Sequence, residues 1–142
     1  MSRTVQITFD AADPASLGSF WAEALGYTAE PPPAGFDSWP AALAAFGVPE
    51  EKFDDAYALL DPDGAQRIFF QRVPEPKTAK NRVHLDVRVS DRGTPVEEQE
   101  RAIQDEATRL ERLGAVRQDW VLEMGRHFMV MLDPEGNEFC LT

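Results

Sequence analysis

Reactive side chains are scarce in this chain, and the few present fall at matching places. Of 142 residues, two are histidine and one is cysteine. His84 lies in NRVHLDVRV (81–89), where Val83, Leu85, Val87 and Val89 alternate with His84, Asp86 and Arg88. That alternation predicts a strand with one apolar and one polar face, with His84 on the polar one. Gln6 has the same place in VQITFD (5–10), where Val5, Ile7 and Phe9 alternate with Gln6, Thr8 and Asp10. An imidazole and an amide so placed can ligate a metal, polarise a carbonyl or, for the imidazole, move a proton. Cys140 could be a nucleophile with His84 as its base, as an activated thiolate. Its apolar-flanked setting, EFCLT (138–142), reads instead as a buried and inert thiol. Gln71 supplies a further oxygen donor in RIFFQR (67–72). His127, beside Arg126 at a strand start, reads equally as a pocket residue or a rim residue. Trp120, in a strand read as central, reads equally as core or as the wall of a cavity.

These side chains need a scaffold, and the sequence describes the same one twice. DPDG at 61–64 recurs as DPEG at 133–136, and LGY at 25–27 as LGA at 113–115. In the first half, strand 5–10 leads to Asp13-Pro14, a helix cap followed by a residue preset for the first turn. Leu17, Phe20, Trp21, Ala24 and Leu25 follow at helical spacing, and Gly26 stops the helix. Trp21 is therefore a core residue. PPPAG (31–35) breaks regular structure, and an insertion at about 36–54 is partly helical; its Trp39 either packs or acts as a lid. AYALLD (56–61) and RIFFQRV (67–73) form a hairpin about DPDG.

The second half repeats the order after a polar connector, VPEPKTAK (73–80). NRVHLDVRV is its first strand. Thr94-Pro95 opens a helix, with Glu97 completing a capping box. Val96, Ile103, Ala107, Leu110 and Leu113 form its apolar stripe, and Gly114 its stop. VRQDWVLE (116–123), HFMVMLD (127–133) and EFCLT follow as strands, the last pair closing about DPEG. The expected fold is α+β, a single domain over 1–142. It comprises two pseudo-symmetric βαβββ modules, 1–73 and 81–142. Each half is too small to bury both faces of its sheet, so the curved mixed sheets together would form a cup-shaped cleft.

Composition narrows the function. The net charge is −11, without the basic footprint that a nucleic-acid partner requires. No apolar run approaches the roughly 18 residues of a membrane span. The N-terminus lacks a signal-peptide layout, and a lone cysteine forms no internal disulfide, so the expected location is the cytoplasm.

The paired βαβββ halves and D-P-[DE]-G turns resemble the vicinal oxygen chelate superfamily of glyoxalase I, extradiol dioxygenases, and bleomycin and fosfomycin resistance proteins. FFQRVPEPKTAKNRVHLDV (69–87) and LDPEGNEFCLT (132–142) resemble its glyoxalase-like subgroup more narrowly. The resemblance implies a metal held by one residue from each of four strands. Gln6 falls at the first position and His84 at the third. The fourth, normally Glu, falls on Cys140, with Glu138 two residues nearer the turn. The second, normally a carboxylate, falls on Phe70 or a neighbour, with Gln71 the nearest oxygen donor. Gln, Phe, His and Cys are an odd set for such an ion, so Gln6, His84 and Cys140 read as vestigial positions. No cofactor is therefore expected, a divalent metal being the alternative. The missing Glu also removes the base implicated in glyoxalase I chemistry, which disfavours lactoylglutathione lyase activity.

The expected function is binding of a small molecule, as in sequestration of a ligand or antibiotic. Gln6, Phe70, Gln71, His84, Trp120, His127 and Cys140 would line the pocket. The alternative is a lyase or isomerase acting on a small oxygenated metabolite, with His84 as its weak catalytic candidate. The resemblance also implies a homodimer.

Overall fold

A computed structural model describes the whole chain, residues 1–142. Contacts divide it into two compact units, Met1–Pro76 and Lys77–Thr142, with the boundary inside the polar connector.

In the first unit, strand β1 (Ile7–Ala11) leads into helix α1 (Pro14–Leu25). The Asp13 carboxylate caps α1 by accepting from the Ser16 amide at 3.1 Å, and Gly26 ends it at φ 69°. Strand β2 (Thr28–Ala29) is too short for alternation to reveal. Helix α2 (Trp39–Ala45) and a 3-10 turn (Glu50–Asp55) form the insertion. The Trp39 indole N–H donates to the Glu30 carbonyl at 2.8 Å, which ties α2 down. Strands β3 (Ala56–Leu60) and β4 (Arg67–Arg72) complete a sheet of order β1-β4-β3-β2, with β1 and β4 parallel. Leu17, Phe20 and Trp21 of α1 are buried together with Leu59, Ile68 and Phe70 of the sheet. The helix can lie flat on β3 because position 18 is glycine: a Cβ there would stand 2.2 Å from the Tyr57 ring.

In the second unit, strand β5 (Asp86–Val87) precedes helix α3 (Val96–Glu111). Strands β6 (Val116–Glu123), β7 (Arg126–Leu132) and β8 (Glu138–Leu141) follow, in the order β5-β8-β7-β6, with β5 and β8 parallel. Ile103, Ala107 and Leu110 of α3 are buried with Met129, Met131, Phe139 and Leu141. The fold class is thus α+β, with a βαβββ module and a mixed four-stranded sheet in each unit. No helix is long and apolar enough to cross a membrane.

Three local expectations are corrected. NRVHLDVRV is not a strand throughout: only Asp86 and Val87 pair in register, and Val83 is exposed. Backbone bonds from Cys140 to Leu85, Thr142 to Val87 and Val89 to Thr142 extend the ladder forward but not back to His84. Upstream, the Asn81 amide instead donates to the Glu138 carboxylate at 2.9 Å, so that stretch follows a side chain. The capping box is also absent. Pro95 occupies the cap position with extended backbone and no side chain caps the helix, so Thr94 stands one residue too far out. The Gln99 side-chain NH2 donates to the Thr94 carbonyl at 2.5 Å instead. Finally, Trp120 is not on a central strand, because β6 is the edge of its sheet.

Candidate functional site

Each module has one sheet face turned to its helix and one turned away, and the reactive residues divide between them. In the first unit, Ile7, Phe9, Ile68 and Phe70 face α1. Register places Thr8 opposite Phe69 and Asp10 opposite Gln71, so Gln6, Thr8, Asp10, Arg67, Phe69 and Gln71 share the other face. Phe70, expected to line a pocket, is corrected here: it is 0% exposed, stacked on Phe9 at 5.1 Å, and offers no surface to a ligand.

The outer face of this sheet is organised around a cation. The Arg67 guanidinium makes a two-pronged pair with Glu30, Nε to Oε1 at 2.9 Å and Nη2 to Oε2 at 2.7 Å. Its Nη1 donates to the Gln6 side-chain oxygen at 2.9 Å, and its carbon lies 5.1 Å from the Phe69 ring centre. The Glu30 hydrogen bond holds the Arg67 pKa above its ordinary value. Gln71 donates to Asp10 at 2.8 Å. The Gln6 oxygen is thus engaged by Arg67, whose charge would repel a metal cation, while Gln71 is held through its NH2 group.

The second unit differs. Register pairs Asp86 with Cys140 and Cys140 with Val130, while Phe139 and Leu141 point toward the α3 side and are buried. On the opposite face, one donor atom each from His84, Asp86 and Cys140 lies within 4.8 Å of the others. His84 Nδ1 stands 3.5 Å from Asp86 Oδ1. Burial, then the charge of Asp86, pushes the Cys140 thiol up to about 11, so it is not an activated thiolate at neutral pH. The Glu138 carboxylate already has partners. Its side chain accepts from the Asn81 amide at 2.9 Å and pairs with Lys77 at 3.2 Å.

Glu138 carries a pH dependence. The Asn81 hydrogen bond, aided by Lys77 and opposed by burial, lowers its pKa below the ordinary 4.5. A lowered folded-state pKa contributes stability above the unfolded value, lost as pH falls through the folded one. Glu138→Gln is therefore expected to be less stable than wild type at pH 7. The gap should close as the pH drops below 4.5, measured by urea unfolding at a series of pH values. A gap that stays constant with pH would contradict this.

His127 and Trp120 lie on the other face. His127, Met129 and Met131 alternate on the α3 side, and His127 Nδ1 is hydrogen-bonded to Glu100 of α3. Trp120 pairs with Met129 in register and stacks on the His127 ring at 4.7 Å and 8°. The two rings are therefore set apart from His84 and Cys140. His127 does border a pocket of about 530 Å³ at one end of the second sheet, and Trp120 does not. That pocket is lined by Asp86, Arg88, Arg92, Arg126, His127 and Phe128, among others.

Sequence reasoning missed Asp86, Arg67 with Glu30, and the pocket arginines. Asp86 was legible, since it shares the polar phase of its strand with His84 two residues away. The Arg67–Glu30 pair joins residues 37 positions apart and left no sequence signal.

The model of the glyoxalase-like domain family matches residues 6–142. No curated protein matches the chain. Among solved structures, a hypothetical protein from Staphylococcus aureus aligns over 99% of this chain and 96% of its own, with 14% identity and a TM-score of 0.59. A protein described as a possible glyoxalase from Bacillus cereus aligns over 100% and 99%, with 13% identity and a TM-score of 0.61. A variant of the fosfomycin resistance protein FosX from Listeria monocytogenes, complexed with Mn(II) and 1S,2S-dihydroxypropylphosphonic acid, aligns over 99% and 89%. Its identity is 12% and its TM-score 0.62. At these identities the likeness is one of fold.

Proposed function

Because this chain belongs to the glyoxalase-like domain family of the vicinal oxygen chelate superfamily, we propose that it binds a small oxygen-rich molecule in its second module. The observation carrying this reading is the pocket of about 530 Å³, within the usual size of ligand sites. Its lining suits an oxygen-bearing ligand. Arg88, Arg92 and Arg126 project guanidinium donors and make no salt bridge, whereas Arg67, Arg72, Arg109 and Arg117 are each paired with a carboxylate. Phe128 adds an apolar surface, and Asp86, Asp91 and Glu123 add acceptors for a ligand hydroxyl or amine. Free arginine donors are suited to recognising carboxylate or phosphate oxygens. The four-strand metal arrangement of the superfamily is degenerate in this reading, since Arg67 and Phe69 stand on the first-unit face where ligands are expected. Sequestration of a ligand needs no such metal.

The test is a thermal-shift screen of oxygen-rich metabolites and antibiotics against chelator-treated protein. A true ligand stabilises in proportion to concentration over Kd, by about 2.7 kcal/mol at a hundredfold excess over Kd. The shift should vanish in Arg88→Ala and Arg126→Ala and persist in Arg112→Ala, which lies outside the pocket. A shift equal in all three variants would place the ligand elsewhere. The absence of any dose-dependent shift would refute the binding reading.

A further inference from the structure

We infer that strand β6 is the docking edge for a second copy of this chain, the two β6 strands pairing antiparallel about a twofold axis at Trp120. Four strands from each copy would then make one continuous sheet. The inference concerns an edge of the second module and stands apart from the pocket reading above.

Three observations carry it. First, the β2 and β6 edges are finished differently. β2 is only two residues long, and the Trp39 indole already occupies the Glu30 carbonyl just beyond it. β6 is eight residues long and holds no proline or lysine, the residues that commonly blunt an edge. Its hairpin with β7 closes at Glu123↔Arg126 over Met124 and Gly125, both at positive φ. In a two-residue turn of that kind the closing pair exchanges both of its bonds, so Val121 and Glu123 spend their backbone groups on β7. Trp120 and Leu122, in the alternate phase, turn N–H and C=O away from the sheet. Second, this edge is apolar. Trp120 and Leu122 are 38% and 62% exposed on one face, and Val116 and Met124 at its two ends are exposed as well. A long strand with open backbone groups and apolar side chains is suited to receive another strand.

Third, the charges select the occupant and its alignment. In antiparallel pairing centred on Trp120, Asp119 meets the partner's Val121, and the two Trp120 rings meet on the axis as a cross-strand aromatic pair. A slip of two residues either way sets Asp119 against the partner's Asp119 or the partner's Glu123, and like charges directly opposite are unfavourable. In-register parallel pairing would set each carboxylate against its twin. VRQDWVLE therefore fits itself in one alignment, the self-complementary pattern of a twofold dimer. The bulge between Arg117 and Asp119 keeps the paired stretch short, which makes this a weak dimer rather than an obligate one.

Sedimentation equilibrium of the full chain, from micromolar to millimolar concentration, tests the inference with the chain as its own probe. The expected result is a reversible monomer–dimer equilibrium that strengthens as salt screens the net charge of −11. Leu122→Lys should raise the dissociation constant about tenfold, since each dimer carries the change twice. Phe46→Lys makes the same change of charge at a comparably exposed side chain of the first unit, 60% against 62%, and should leave the equilibrium as it is. Both positions are exposed, so both variants should keep the wild-type thermal transition at monomer concentration. Amide hydrogen exchange locates the contact: the Trp120 and Leu122 amides should gain protection at dimer concentration. A chain that stays monomeric at every concentration overturns the inference. So does a dimer that Leu122→Lys leaves intact, or one whose concentration-dependent protection falls outside β6.

Discussion

Phe70→Ala is expected to cost about 3–5 kcal/mol of folding stability, in the range for truncating a fully buried aromatic side chain. Phe70 is 0% exposed, on a strand whose register sets it directly opposite Phe9. The two rings stack at 5.1 Å and 22°, and Phe9 in turn meets Trp21 of α1 at 5.2 Å. Removing the Phe70 ring loses its transfer energy and opens a void that a packed neighbourhood cannot fully close. Phe69→Ala, one residue away on the opposite face and half-buried, should cost markedly less. Urea unfolding of both variants, read as a shift in midpoint at unchanged slope, gives the comparison. If Phe70→Ala cost under about 1 kcal/mol, the side chain would not be a core residue.

Asp133→Ala is expected to cost about 2–4 kcal/mol, because several donors would lose one buried acceptor. Asp133 is 2% exposed. Its Oδ1 accepts from the Glu135 amide at 2.9 Å and the Asn137 amide at 3.0 Å, and its Oδ2 accepts from the Asn137 side chain at 2.8 Å. Gly136, at φ 85°, lets the chain reverse within the same turn. The repeat provides an internal control. Asp61 opens the equivalent turn but is only half-buried, and its carboxylate accepts from the Gln66 amide at 3.1 Å. Asp61→Ala should therefore cost less than Asp133→Ala by thermal or urea unfolding. Equal costs would show that the turn motif itself, rather than the burial of Asp133, sets the energy.

The comparison of these two turns shows what repetition in a sequence conveys. DPDG and DPEG correctly mark two hairpins, since a turn is specified by adjacent residues. Their energetic difference comes from what packs over them, which four residues do not encode. The same holds for Trp21, legible as core from helical spacing alone, and for Phe70. RIFFQR reads as a strand, but which of two adjacent phenylalanines faces inward is a register question. The pairing Phe9↔Phe70 answers it, and it joins residues 61 positions apart.

By itself the sequence determined the two βαβββ modules, their main helices and their turns; it read Gln6 and His84 as strand residues, whereas both stand just ahead of their strands. Those features rest on local rules: cap chemistry, glycine stops, and periods of 2 and 3.6 residues. Only the tertiary structure decided which polar groups meet. It brought Arg67 and Glu30 onto Gln6, turned Trp120 and His127 toward the helix side, and set Asp86 and His84 against Cys140. The physical reason is that a parallel strand pair is fixed by burying Phe139 and Leu141 under α3. Residues on the opposite face become neighbours as a consequence of packing, over a separation along the chain that no local pattern spans.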